Sequence, residues 1–130
     1  MTVILIVEPD TELATAMGEL LFDDGFEICI TDSLKYAVGQ LPAKWVQGMV
    51  IDVDGIPLYS DHTALKLVGD WFRHCDLPPP LILLSLCSPL HNDGGLPPPA
   101  ISQALWIEWV TKPVQNKEFL SLIRQTVRPN

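Results

Sequence analysis

Residues 45–57 read Trp45-Val46-Gln47-Gly48-Met49-Val50-Ile51-Asp52-Val53-Asp54-Gly55-Ile56-Pro57. The apolar run Met49-Val50-Ile51 leads straight into two carboxylates and then breaks at Gly55 and Pro57. A strand with one wet face alternates apolar and polar residues; a run without alternation suits a strand covered on both faces, as parallel strands are. Asp52 and Asp54 then stand at its carboxyl end. In open α/β sheets, ligands and chemistry gather along that edge.

Upstream, Thr2 to Val7 is apolar and ends abruptly at Glu8-Pro9-Asp10, which predicts a first buried strand. Asp10 or Thr11 can cap a helix with Leu13, Ala16, Met17, Leu20 and Leu21 on its inner face, closed by Asp23-Asp24-Gly25. Phe26 to Thr31 is short and β-rich, a second strand. Ser33 can cap a second helix with Leu34, Ala37, Val38 and Leu41 inward, stopped by Pro42.

Downstream of the central strand, Asp61 can begin a third helix with Ala64, Leu65, Val68, Trp71, Phe72 and Cys75 as its buried stripe. Asp76-Leu77 and three prolines end it, and Leu81 to Ser85 is a fourth apolar strand. Ser88 to Pro99 is rich in proline and glycine and predicts a long loop, leaving only Ala100 to Leu105 for a shortened fourth helix. Trp106 to Thr111 is a fifth strand, terminated by Lys112-Pro113. A last helix turns Phe119, Leu122, Ile123 and Val127 inward, with Arg124 and Arg128 near its negative end. Five strand–helix units in strict alternation predict an α/β fold, an open parallel sheet with helices on both faces, spanning 1–130 as a single domain.

The bulk composition agrees. At 130 residues, 48% of them hydrophobic, the chain can build a real core. A formal net charge of -8 argues against direct nucleic-acid binding, because counterion release needs Lys and Arg. The amino terminus has no basic flank and Glu8 interrupts its apolar stretch, so no signal peptide or membrane span is expected there. Cys29, Cys75 and Cys87 are odd in number and form no CxxC pair, which suits a reducing compartment and buried, unpaired thiols. A cytoplasmic protein is the expectation. His62, His74 and His91 lack metal-ligand spacing and are expected to be solvated; the four tryptophans are expected in or over the core, with Trp106 and Trp109 alternatively forming a partner-facing patch.

Four strands end in polar groups that parallel alignment would bring together: Glu8 and Asp10, Asp52 and Asp54, Ser85, and Lys112. Such a set supports phosphoryl transfer to a carboxylate. Asp52 would be the nucleophile, acidic neighbours would hold a divalent cation, and Lys112 and the Ser85 hydroxyl would meet the phosphoryl oxygens. The added charge, roughly -1.5 to -2, would draw Ser85 and Lys112 inward.

These stretches resemble, over essentially the whole chain, the receiver domains of two-component response regulators, of the chemotaxis-regulator type. VILIVEPD is similar to the family's strand and acidic cluster, MVIDVDGIP to its phosphoacceptor strand, LILLS to the strand ending in a switch hydroxyl, and WVTKP to the strand ending in Lys-Pro. The resemblance implies a flavodoxin-like fold, a five-stranded parallel sheet in order 2-1-3-4-5 flanked by five helices. It implies Asp52 as phosphoacceptor, with Asp54 the alternative, and Mg²⁺ held by Glu8, Asp10 and Asp52. Ser85 and Lys112 would sense the phosphoryl group, Trp109 would stand at the aromatic switch position, and Pro113 would follow a cis peptide bond. A histidine kinase or phosphotransfer protein would be the donor, and a downstream output domain or protein the target. Beyond weak autophosphatase activity, no enzyme would be expected.

The sequence departs from the family at four points. Pro9 stands where the second acidic residue, ordinarily the direct metal ligand, belongs. The proline after the phosphoacceptor comes one residue late, at Pro57. Trp109 replaces Tyr or Phe, and the fourth helix is shortened, which leaves the usual dimer surface unassured. The alternative function is therefore a pseudo-receiver, a phosphorylation-independent interaction module on the same scaffold. A free-standing enzyme of flavodoxin-like architecture ranks behind both, since the chain has no glycine-rich phosphate loop and no nucleophile elbow. Glu8 and Asp10 read equally as plain loop and helix-cap acids.

Overall fold

The computed structural model describes residues 2–40, 42, 45–55, 62–73, 79–85 and 107–127. Its elements run β1 (Val3–Val7), α1 (Thr11–Asp23), β2 (Glu27–Thr31), α2 (Leu34–Gln40), β3 (Gly48–Asp52), α3 (His62–Arg73), β4 (Leu81–Ser85), β5 (Ile107–Thr111) and α4 (Asn116–Thr126). The five strands form one parallel sheet in the order β2-β1-β3-β4-β5. The strand order is the one expected, and the central strand β3 is buried along its whole length. Ala100 to Leu105, Cys75 and the Pro/Gly loop lie outside the described residues, as do His74, His91, Cys87, Trp106 and Arg128.

Strand alternation splits the core into two layers. Ile4, Ile6, Val50, Ile82 and Leu84 pack with Met17 and Leu21 of α1 and Phe119, Ile123 and Val127 at the end of the chain. The alternate residues Leu5, Val7, Met49 and Ile51 are equally buried and belong to the opposite face, on whose side α2 and α3 pack against each other. Trp71 and Phe72 of α3, and Leu34 and Ala37 of α2, are buried as expected.

Phe119, Leu122, Ile123 and Val127 face the core as expected, whereas the rotation of α1 differs in part. In α1 the buried residues are Ala14, Met17, Gly18 and Leu21, while Ala16 is exposed and Leu13 and Leu20 are only partly covered. Gly18 is the reason: a Cβ there would stand 2.9 Å from Ile30 Cδ1, so the helix lies close to β2 at a residue that hydropathy does not mark. In α4 the inner face includes Thr126, whose hydroxyl donates to the Leu122 carbonyl at 2.9 Å and so satisfies its own burial. Arg124 does not simply complement the helix dipole; it forms a two-pronged ion pair with Asp24 at the end of α1. Cys29, on the edge strand, is half-buried rather than buried, and Trp45 is exposed.

Local chemistry fixes the ends. Asp10 Oδ1 accepts from the amides of Glu12 and Leu13 at 3.1 and 3.2 Å, and the Ser33 hydroxyl accepts from the Tyr36 amide at 3.1 Å. Gly25 takes φ +97° just past α1, where a side chain would be strained. Among the described residues, no helix is long and apolar enough to cross a membrane.

Candidate functional site

The site follows from the register. Val7 pairs with Ile51, so the residues that come next, Glu8 and Asp52, emerge side by side at the carboxyl edge. Asp52 in turn pairs with Leu84, Ser85 pairs with Thr111, and Lys112 follows Thr111 directly. Three strand ends thus converge on one point. The backbone holds the edge together: the Glu8 amide donates to the Thr31 carbonyl and the Val53 amide to the Leu84 carbonyl.

Asp52 is buried and both of its oxygens are engaged. Oδ2 lies 2.7 Å from Lys112 Nζ. Oδ1 accepts from the Asp54 amide at 3.0 Å and more weakly from the Gly55 amide at 3.4 Å. Lys112 Nζ also reaches Asp54 Oδ2 at 3.6 Å, so Asp54, more exposed, is a second carboxylate on the same ammonium. Burial opposes the charge on Asp52, but its neighbours Glu8, Lys112 and the Asp54 amide outweigh it and hold its pKa below the ordinary value. Burial likewise opposes the Lys112 charge, and the neighbouring carboxylates, Asp52 foremost, more than restore it and raise its pKa.

Glu8 behaves in the opposite way. It is 2% exposed, and burial, together with the adjacent Asp52 carboxylate, pushes its carboxyl up to about 8. Two carboxylates crowded at one buried point favour a proton on one of them, and the raised pKa assigns it to Glu8. Its oxygens are sealed from solvent and have no hydrogen-bond partner among the described residues.

The remaining expected site residues fall as follows. The Lys112–Pro113 peptide is cis. Ser85 closes β4 at the right edge, but its side chain lies outside what is described. Trp109 pairs with Leu83 in the sheet, half-buried, and borders a groove between β5 and α4. Asp10 is drawn away from Asp52, its carboxylate serving the cap of α1.

Those positions bear on the magnesium ion that the resemblance implies. Among the described residues, no three acidic, histidine or cysteine side chains gather to hold a metal. Pro9 contributes no ligand and packs its ring on the loop after β3: a Cβ on Gly55 would stand 2.4 Å from Pro9 Cγ and 3.5 Å from Asp52 Oδ2. The donor set does not fit a cation held as the family pattern expects. Sequence reasoning missed the Pro9–Gly55 contact and the two loop amides on Asp52, although Gly55, the first residue able to accept a ring against its backbone, was the available signal.

No protein-family model matches the sequence, and no curated protein does. Solved structures do. The receiver domain of the response regulator TorR of the TMAO respiratory system matches with TM-score 0.70 at 17% identity, over 96% of this chain and 95% of that one. The chemotaxis protein CheY4 of Vibrio cholerae matches with TM-score 0.69 at 14% identity, over 98% and 99%. The response regulator TrrA of Thermotoga maritima, captured with Mg²⁺ and BeF, matches with TM-score 0.68 at 18% identity, over 98% and 100%. Over nearly its whole length, this chain has the flavodoxin-like fold of a response-regulator receiver domain.

Proposed function

We propose that the protein is a receiver in two-component phosphorelay signalling, accepting a phosphoryl group on Asp52 and switching a partner surface. The observation that carries this reading is the buried Asp52–Lys112 contact of 2.7 Å at the carboxyl edge of the sheet. A carboxylate held ionised is a competent nucleophile, and a lysine already beside it is positioned for the oxygens of an incoming phosphoryl group.

In the proposed step an Asp52 oxygen attacks the phosphorus of a phosphohistidine donor. The new O–P bond forms as the P–N bond breaks, and the donor imidazole leaves with the bonding pair and takes up a proton. The acyl phosphate then carries about -1.5 to -2 charge where a single carboxylate charge stood. Lys112 gains a stronger partner, the amides of Asp54 and Gly55 are pulled upon, and the loop after β3 shifts with them. The donor would be a histidine kinase or a phosphotransfer protein, and the recipient of the switch an output domain or protein.

The test is intact mass after incubation with acetyl phosphate, with and without Mg²⁺, alongside Asp52→Asn. One added phosphoryl group on the parent and none on the variant supports the reading; equal addition to both removes Asp52 from the role.

A second reading, the phosphorylation-independent interaction module, is favoured by one feature, the Pro9 ring packed on Gly55. It is distinguished by a folded parent protein that takes up no phosphoryl group from either acetyl phosphate or a kinase.

A further inference from the structure

The Asp52 site has its charge balance built from protein groups on every side that the structure describes. One carboxylate oxygen is taken by Lys112 and the other by two backbone amides. A divalent ion the size of Mg²⁺ demands a near-octahedral shell of oxygens at about 2.0–2.1 Å, usually one or two protein carboxylates with water filling the rest. Of the other acids, Asp10 caps α1 at 3.1 and 3.2 Å and Asp54 faces Lys112 Nζ at 3.6 Å; Glu8, beside Asp52, is sealed from solvent with no partner among the described residues, and a single such acid does not make up the shell. The loop side is narrowed too: a Cβ on Gly55 would stand 2.4 Å from Pro9 Cγ and 3.5 Å from Asp52 Oδ2, so the Pro9 ring packs on the loop beside the carboxylate.

We propose that the Asp52 site works without a divalent cation, with Lys112 as its resident positive charge and Pro9 closing the side from which a cation would reach the carboxylate. The proposal rests on the reading of Asp52 as the functional centre and deepens it, since it states which cation the centre uses. A lysine differs from a bound ion in one respect that matters for regulation: its stem ties it to β5, so the charge cannot leave when ionic conditions change. Signalling through such a site would be insensitive to the concentration of free Mg²⁺.

The experiment is a ¹⁵N-resolved titration of the full chain with MgCl₂, following the amides of Glu8, Val53, Asp54 and Gly55, beside the variant Pro9→Asp. Pro9 is exposed and lies outside the helix, so the variant restores a carboxylate with little demand on the core. The expected result is no saturable shift in the parent and saturable shifts in Pro9→Asp, a difference in affinity of tenfold or more. Saturation of the parent within about threefold of the variant would overturn the proposal, and silence in both would overturn the role given to Pro9. A second measurement on the parent alone guards against a misfolded variant. Its melting midpoint in about 20 mM MgCl₂ should equal that in NaCl at matched ionic strength, whereas a specific rise, as any ligand of the native state produces, would refute cation-free operation. No phosphoryl donor is present in either measurement, so failure here and failure of the Asp52 phosphoryl-uptake test are separate outcomes.

Discussion

Replacing Glu8 by Gln should make the protein more stable at slightly alkaline pH and leave it nearly unchanged at pH 5. Glu8 is buried beside Asp52 with its carboxyl pushed up to about 8, against an ordinary value of 4.5. Between those values the unfolded chain has released the Glu8 proton while the folded chain still holds it. The unfolded state therefore binds fewer protons, and stability falls as pH rises through the interval. At 1.36 kcal/mol per pH unit the whole interval corresponds to about 5 kcal/mol, and local opening that lets water reach the carboxylate reduces this to about 2–4 kcal/mol. Glutamine keeps a neutral side chain of the same shape beside Asp52 but cannot titrate. The other two members of the site do not blur the window. Asp52, held low, stabilises above its ordinary 3.8 and loses that only as pH falls through its lowered value; Lys112, held high, stabilises below 10.5 and loses that only as pH rises through its raised value. Both contributions are constant from pH 5 to 8.5, and the histidines are common to both proteins. Urea unfolding of parent and Glu8→Gln at pH 5, 6.5 and 8.5 reads the difference directly. Parallel stability curves for the two proteins would refute the assignment of a proton to Glu8.

Two further substitutions test the scaffold behind the site. In Gly48→Ala the new methyl would stand 2.6 Å from Val127 Cγ2 and 3.2 Å from Ile4 Cδ1, so the start of β3 must move or the chain end must give way; a loss of about 1–3 kcal/mol in urea unfolding is expected. Asp10→Ala removes the acceptor of two α1 amides and should cost about 1 kcal/mol, and because Asp10 does not touch Asp52 it should leave phosphoryl uptake on Asp52 unchanged in the mass assay.

The strands and the site were far more legible in the sequence than the helix rotations were. Met49-Val50-Ile51 and Ile4-Leu5-Ile6 are apolar at every position because both faces of the sheet are covered, so their type and burial can be read from composition alone, whereas their order in the sheet came from the family resemblance. Once five such strands are parallel, their polar termini must meet at one edge whatever the register, which is why Glu8, Asp52 and Lys112 could be grouped without coordinates. A helix has no such guarantee. Its buried stripe depends on how closely the neighbouring element approaches, and at α1 that is decided by Gly18 against Ile30, a contact hydropathy cannot see. Thr126 was missed for a related reason: its hydroxyl is satisfied within its own helix, so a polar residue behaves as a core residue. Trp45 errs the other way, a large aromatic left exposed on a turn before β3.

What the sequence could not reveal within the site was how charge is shared. The identities Glu8, Asp52, Asp54 and Lys112 give three acids and one base, which on paper invites a divalent cation. Register changes that arithmetic, because Glu8 and Asp52 follow the paired residues Val7 and Ile51, and their adjacency in a buried place favours a proton on Glu8. With Glu8 neutral, two carboxylates remain for one ammonium, Asp52 at 2.7 Å and the more exposed Asp54 at 3.6 Å. The demand for a metal is thus weakened by the same adjacency that seemed to create it. Pro9 then acts on a site already close to balance: it withholds a ligand and lays an apolar ring on the loop that carries Asp54 and Gly55. Phosphorylation of Asp52 would upset that balance by roughly one negative charge, and the nearest groups able to answer are Lys112 and the amides of Asp54 and Gly55, which join β5 to the loop after β3. The conformational response should therefore begin along that connection.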